Sequence, residues 1–195
     1  MKVQLADERA VGPAHTLPRL GWTSTLLPRK DGMATRELRF FGDPILSTLC
    51  DPVTDFGKGT RELVQDLMDT VELPGRAGLA APQIGVGLRA FSYNVDGQKG
   101  YVLNPELVEV KGERKEITEG CLSVPKLWFP TERASYAAVK GVDLNNEPVF
   151  VDGEGIMAQA LQHETDHLDG IVYIQRLSKE NRRRAMEQIR TSDWF

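Results

Sequence analysis

Several features that define large protein classes are absent from this chain of 195 residues. Two cysteines, Cys50 and Cys121, are too few for the disulfide framework of a small secreted domain. No apolar run approaches the about 18 residues of a membrane-spanning helix. The 24 basic residues against 28 acidic ones predict no general affinity for nucleic acid or membrane. We therefore expect a soluble, cytoplasmic protein without internal repeats.

The composition favours one domain with a sizeable core, because 41% of the residues are hydrophobic. We assign this domain to residues 33–195, with a normal domain start at Met33. Residues 1–32 contain several prolines and no sustained periodicity, so we expect a disordered extension or a start site placed too far upstream. They lack the apolar core of a secretory signal, whereas their arginines leave an organellar presequence conceivable.

The most informative stretch is residues 162–170, QHETDHLDG, which contains the pattern H-E-x-x-H at His163, Glu164 and His167. On a helix this spacing sets two imidazoles one turn apart. The pair shares an apolar face with four neighbours, which are Ile156, Met157, Ala160 and Leu161. Four polar residues project to the opposite side: Gln159, Gln162, Thr165 and Asp166. Such a helix carries its imidazoles into the core.

A buried imidazole pair needs partners, and a divalent metal satisfies both rings at this spacing. Two core histidines bonded to the backbone, with Glu164 in a nearby salt bridge, are the alternative. A third ligand is required, and Cys121 in the segment EGCLS offers one. The longer pattern H-E-x-x-H-x-x-G-x-x-H would need a histidine at Tyr173. Glu187 lies about 20 residues on and leaves a metallopeptidase arrangement open, and a structural zinc would recruit Cys50 or His15.

The remaining pattern predicts an α+β fold. A helix is expected from Thr60, with the apolar stripe Leu63, Leu67 and Val71, and it should end at Pro74-Gly75. Residues 88–151 contain five short β-type runs separated by turn formers such as Lys111-Gly112, which predicts antiparallel β-sheets. These sheets should pack around a central metal-binding helix, and residues 178–195 should form a short C-terminal helix.

Residues 78–87, GLAAPQIGVG, are too small and too glycine-rich for ordinary core packing. Small residues let a backbone approach a ligand closely, although a tight turn before a strand is the alternative. The run lacks the lysine and hydroxyl residue of a phosphate-binding loop.

Taken together, GLAAPQ at 78–83, EGCLS at 119–123 and QHExDHLxG at 162–170 resemble the three motifs of peptide deformylase. The resemblance covers roughly residues 40–177, in the order of the family. One position departs from the family pattern, since Arg76 occupies the place of the usual first glycine. The neighbouring Gly75 can take up that turn, so the departure concerns the rim of the cleft.

The resemblance implies hydrolytic removal of the N-formyl group from the initiator methionine of new polypeptides. Its metal ligands would be Cys121, His163 and His167, and Glu164 would take a proton from water and deliver it to the departing amine. The oxyanion donors would be the Leu122 backbone N–H and the Gln83 amide. Three small residues would let the peptide lie close in strand fashion: Ala77, Gly78 and Gly120. An apolar pocket would receive the methionine side chain.

The resemblance also suggests one divalent metal per chain, Fe²⁺ in the cell, with Zn²⁺, Ni²⁺ or Co²⁺ able to replace it. A transient ribosome contact through Arg182-Arg183-Arg184 is conceivable, but a solvated helix face is favoured. No specific nucleic-acid binding is expected. We expect Gln162, Asp166 and Asp169 either to support the metal ligands or to lie on the helix surface, with the surface role favoured for the two aspartates.

Overall fold

The computed structural model describes residues 36–195, so the predictions for residues 1–32 and for His15 lie outside the described part. The helices are α1 (Lys58–Val71), α2 (Gly155–Leu168) and α3 (Lys179–Ile189). The strands are β1 (Gly78–Ala80), β2 (Ala90–Val95), β3 (Gln98–Cys121), β4 (Val124–Val142) and β5 (Pro148–Glu154). Short 3₁₀ helices cover Pro44–Ser47, Ala81–Ile84 and Tyr173–Arg176. Within residues 36–195, no helix combines the length and apolar character that crossing a membrane requires.

The strands form a single antiparallel sheet of five strands in the order β1-β2-β3-β4-β5. The sequence predicted several sheets with a turn at Lys111-Gly112, and this was wrong. Gly112 adopts φ +81°, and the β3–β4 register shifts between Lys111 and Arg114. The glycine therefore belongs to a bulge, which bends the strand without reversing it. As a result, β3 runs unbroken to Cys121.

Helices α1 and α2 pack on opposite faces of β1–β3, because side chains alternate along a strand. In β1, Leu79 joins the core cluster that contains Leu67 of α1, whereas Ala80 joins the cluster that contains Leu161 of α2. Leu63, Leu67 and Val71 are all buried, as predicted. The helix begins earlier than expected, at Lys58, and Thr60 lies within it instead of capping it.

Helix α2 is buried on more sides than the sequence predicted. Gln162, Thr165 and Asp166 were expected to face away from the core, but each is at least 92% buried, with relative exposures of 5%, 6% and 8%. Ile156, expected on the buried face, is 54% exposed. The helix contacts all five strands, so its polar side also lies against protein and its polar groups bind partners there.

The surface role expected for Asp166 was therefore wrong, since its carboxylate pairs with Arg133 at 2.7 Å. Gln162 bonds the backbone of Ala134 through both its oxygen and its nitrogen. Asp169, in contrast, lies at the helix end and pairs with Arg89 at 2.8 Å, with 43% of its side chain exposed.

Helix α3 begins after Ser178, whose hydroxyl accepts a hydrogen bond from the Asn181 N–H. Its buried residues are Ala185 and Ile189, and Arg182-Arg183-Arg184 is exposed, as expected of a solvated helix face. The chain end returns to the domain, where the Trp194 ring lies 5.9 Å from that of Phe40.

Candidate active site

A cleft of about 460 Å³ opens where β1, the end of β3 and α2 meet. Eight of the residues that the sequence analysis selected line it: Ala77, Gly78, Gln83, Gly120, Cys121, Leu122, His163 and Glu164. The remaining predicted site residue, His167, is fully buried. The structure thus brings three separate sequence segments to one place.

The potential ligand atoms of Cys121, His163 and His167 all lie within 4.8 Å of one another. The Cys121 Sγ lies 3.2 Å from the His167 Nε2, and the two imidazole centroids are 4.9 Å apart. The spacing of i and i+4 on α2 sets the imidazole pair, while the last residue of β3 delivers the thiol. Within residues 36–195, this is the only such cluster of three or more histidine, cysteine or acidic residues.

Glu187, the alternative third ligand, and Cys50, the alternative fourth ligand, both lie outside this cluster. Glu187 is exposed on α3, where its carboxylate approaches Arg183 at 4.0 Å. Cys50 is 4% exposed within the apolar cluster around Leu168. Neither belongs to the possible metal site, so the predicted metallopeptidase alternative through Glu187 was wrong. Recruitment of Cys50 to a structural zinc was wrong as well.

The orientation of His163 is fixed by a buried ionic network that the sequence analysis missed. Glu119 Oε1 lies 2.7 Å from His163 Nδ1. Arg133 binds both oxygens of Glu119, at 2.7 and 2.8 Å, and donates to Asp166 at 2.7 Å. Arg176 reaches the same Asp166 from the 3₁₀ helix at 2.6 Å. The E of EGCLS was a usable signal for Glu119, whereas nothing local in the sequence marks Arg133.

The local electrostatics call for a cation. Burial alone would raise the pKa of Glu119, but hydrogen bonds from Arg133 and His163 hold it at about 2. Burial opposes a charged His163 too, yet the neighbouring Cys121 and Glu119 side chains raise its pKa well above the ordinary value. Burial, followed by the charge of His163, lowers the pKa of His167 far below its ordinary value. The buried Glu119 carboxylate therefore favours a positive charge at His163, and a divalent cation can supply that charge.

Glu164 follows the first histidine and is 3% exposed. Burial raises the pKa of this carboxyl to about 7. Its Oε2 finds no hydrogen-bond partner within residues 36–195, and the same holds for His167 Nδ1. Gly78 accommodates the carboxylate, because a Cβ at that position would overlap it. A buried acceptor without a protein donor is suited to binding a water molecule.

Gln83 is held in one orientation. Its Oε1 accepts from the Ala80 N–H at 2.8 Å, and its Nε2 lies 3.3 Å from the Ser123 Oγ and 3.5 Å from the Cys121 Sγ. The amide N–H groups consequently point toward the thiol. Leu122 lies beside them, in the two-residue connection between β3 and β4.

Arg76, at the position where the resemblance led us to expect a glycine, lies at the rim of the cleft. Gly75 has φ +81° and takes up the turn, as the sequence suggested. Arg76 is half-buried, lines the cleft, and donates from Nη1 to the Thr70 carbonyl at 2.8 Å.

Two imidazoles and a thiol around one point, with a buried carboxylate beside them, are the donor set of a hydrolytic metal centre. Comparison with known proteins specifies the class further. The family described as polypeptide deformylase matches residues 35–183. The peptide deformylase of Acidothermus cellulolyticus is 49% identical over 162 residues, covering 83% of this chain and 89% of that protein. That of Parafrankia sp. is 47% identical over 163 residues, with the same coverage of 83% and 89%.

Solved structures agree with the sequence comparison. A peptide deformylase from Legionella pneumophila superposes with a TM-score of 0.75 at 36% identity, covering 80% of this chain and 94% of that one. The peptide deformylase from Thermus thermophilus gives a TM-score of 0.73 at 37% identity, with 80% and 93% covered. The chain therefore belongs to the polypeptide deformylase family. It is a hydrolase that removes the N-formyl group from N-formylmethionyl peptides.

Proposed function

We propose that the chain performs this hydrolysis with one divalent metal held by Cys121, His163 and His167, and with Glu164 as the proton-transfer residue. The observation that carries the proposal is the convergence of these four side chains at one cleft. In this proposal α2 is the central metal-binding helix. When bound, the metal supplies the Lewis acidity that makes water a nucleophile near neutral pH.

Glu164 takes the proton from the attacking water and later delivers it to the departing amine. In the metal-free protein burial raises the pKa of this carboxyl to about 7, and a carboxylate of raised pKa is a better proton acceptor. The unpartnered Oε2 supports this role, since no protein donor within residues 36–195 competes with water for it.

The oxygen of the formyl group gains negative charge as the carbon becomes tetrahedral, and it needs fixed donors. We assign this task to the Gln83 amide and the Leu122 backbone N–H. The hydrogen bond from the Ala80 N–H supports the assignment, because it prevents the Gln83 amide from flipping. One donor of this kind contributes about 3 kcal/mol to transition-state stabilisation in comparable sites.

The peptide substrate lies against Gly78 at the start of β1, an edge strand of the sheet that can accept another strand, and it runs past residues 75–77. Ala77 and Gly78 border its backbone on one side, and Gly120 does so on the other. Gly120 is packed under the Trp128 ring, which a Cβ would overlap. The methionine side chain enters the part of the cleft lined by Ile156 and Ala160.

We propose that residues 33–195 form the catalytic domain and that the protein acts in the cytoplasm. Its partners there are new polypeptides. Fe²⁺ is the metal we propose for the cell, with Zn²⁺, Ni²⁺ or Co²⁺ as replacements, since a thiolate and two imidazoles suit all four. Any ribosome contact is transient and runs through the exposed arginines of α3.

The test is formate release from formyl-Met-Ala-Ser by anaerobically prepared, metal-quantified protein. Glu164→Gln should keep one metal per chain and lose turnover, whereas Cys121→Ser should lose both. Glu187→Gln is the matched control, and it should retain metal and turnover. Metal-loaded wild type without formate release, or Cys121→Ser with full metal content, would overturn the proposal.

Thiol alkylation gives a second readout that does not depend on activity. Cys121 lines the cleft, while burial raises the pKa of Cys50 to about 11 and keeps it unreactive. Metal-free protein should therefore lose one thiol to iodoacetamide at Cys121, and Zn²⁺ should protect it. Equal labelling with and without Zn²⁺ would exclude Cys121 as a ligand.

A further inference from the structure

Arg76 has no acidic partner among the described residues. It forms no ion pair within residues 36–195, and its one hydrogen bond there goes from Nη1 to the neutral carbonyl of Thr70. The side chain is half-buried at the cleft, and burial lowers its pKa below the ordinary value. A guanidinium has five N–H donors, so four remain beyond the one that Thr70 accepts.

The other lysine or arginine that lines the cleft is already paired. Lys126 lies 3.2 Å from the Asp193 carboxylate, and both side chains are about three-quarters exposed. The acidic residues of the cleft do not compensate Arg76 either, since Glu119 is bound by Arg133. A half-desolvated guanidinium with one neutral partner gains most from a carboxylate, which forms charge-assisted hydrogen bonds.

The direction of the cleft determines which part of a substrate reaches Arg76. The reacting group lies by Gly78, which contacts Glu164. Leu79 and Ala80 are fully buried, so the chain cannot continue along that side. It must leave past residues 75–77, which are exposed or half-buried. Arg76 lies two residues from Gly78 in this direction, where an extended peptide presents the first or second residue after its methionine.

We propose that Arg76 is a specificity-determining residue that selects formylated peptides carrying an acidic side chain at the first or second position after the methionine. This inference rests on the proposed function. It gives a role to Arg76 at the position where the resemblance led us to expect a glycine. The role is in substrate binding and not in the chemical step.

The experiment measures kcat/KM for amide-capped peptides, so that the C-terminal carboxylate is absent. The acidic substrates are formyl-Met-Asp-Ala-amide and formyl-Met-Ala-Asp-amide, each compared with its Asn and Lys counterparts. In wild type one Asp peptide should exceed its Asn counterpart by about fivefold, the upper end for a solvent-accessible ion pair. The difference should appear in KM and shrink at about 0.5 M NaCl.

Arg76→Gln and Arg76→Gly should bring the Asp-to-Asn ratio to one, and Arg76→Lys should retain part of the preference. The matched control is Lys126→Gln, which should leave the ratio unchanged. A separate arm compares free-acid and amide forms of formyl-Met-Ala and formyl-Met-Ala-Asn, which tests the terminal carboxylate as the source of the charge.

The inference fails if wild type turns over Asp and Asn peptides equally, if the preference survives Arg76→Gln, or if only the terminal carboxylate matters. Absence of formate release from every peptide would instead reject the proposed function. The two failures are therefore distinguishable in one set of assays.

Discussion

Glu119 Oε1 lies 2.7 Å from His163 Nδ1, and this contact determines which nitrogen of the ring faces the cleft. With Nδ1 donating to the carboxylate, Nε2 is the atom left to bind a metal. The carboxylate is itself fixed, because Arg133 binds both of its oxygens. One side chain outside the proposed ligand set thus controls the geometry of a proposed metal ligand.

The first prediction concerns Glu119→Gln, which should weaken metal binding about 10- to 100-fold. The glutamine NH₂ group would replace one carboxylate oxygen and face a donor, either Arg133 Nε or His163 Nδ1, so the amide cannot accept from all the donors that Glu119 now binds. Competition with a chelator measures the affinity. Glu116→Gln, an exposed residue on the same strand, is the control and should bind metal as wild type does. Equal affinities for all three proteins would mean that Glu119 does not position His163.

The second prediction concerns the stability that Arg133 provides. Arg133→Met leaves the carboxylates of Glu119 and Asp166 buried without their shared cation, which should cost about 3–5 kcal/mol in the free energy of unfolding. Arg114→Met is the control, since its pair with Glu132 is more than half exposed and should contribute less than about 1 kcal/mol. Urea denaturation of both variants checks the difference, and similar midpoints would contradict it.

The sequence predicted the local parts of the site because they depend on local geometry. The imidazole pair follows from helical spacing, and the stripe of α1 follows from its apolar periodicity. Arg133, in contrast, reaches Glu119 only because β3 and β4 pair in one register, which places Glu116 opposite Glu132 and Lys115 opposite Arg133. Tertiary pairing of this kind leaves no local pattern, so the network around His163 was missed.

Two further errors have the same origin. Lys111-Gly112 has the composition of a turn, but the partner strand continues alongside it, so the glycine is accommodated as a bulge. Asp166 has the position of a surface residue on a one-sided helix, but α2 is enclosed on several sides. In both cases local preference was overridden by contacts between distant segments, which a helical or strand period cannot encode.

The third prediction concerns Gly78→Ala. An added Cβ would overlap the Glu164 carboxylate, so the variant should displace the residue that we propose for proton transfer while leaving the three proposed metal ligands in place. We expect turnover to fall at least about 100-fold, the range for loss of general acid–base catalysis, with metal content unchanged. Gly59→Ala is the control, because no neighbouring group lies within 4 Å of the Cβ it would gain and alanine favours a helix. Full turnover by Gly78→Ala would show that Glu164 has more room than the structure gives it.

The fourth prediction concerns the pH dependence of stability in metal-free protein. Burial raises the pKa of Glu164 from 4.5 to about 7 in the folded state. Between these values the unfolded chain releases the proton while the folded chain keeps it, so the stabilising contribution is complete below 4.5 and is lost as the pH rises through 7. The full effect is about 3 kcal/mol.

Glu164→Gln removes this titration and leaves the other groups in place. The free energy of unfolding of the variant, relative to wild type, should therefore rise by about 2–3 kcal/mol between about pH 5 and pH 8. Denaturant titrations in the presence of a chelator measure both proteins at each pH. Parallel pH profiles would mean that the carboxyl of Glu164 is hydrated in the folded protein. Burial of this carboxyl could then not explain proton transfer near neutral pH.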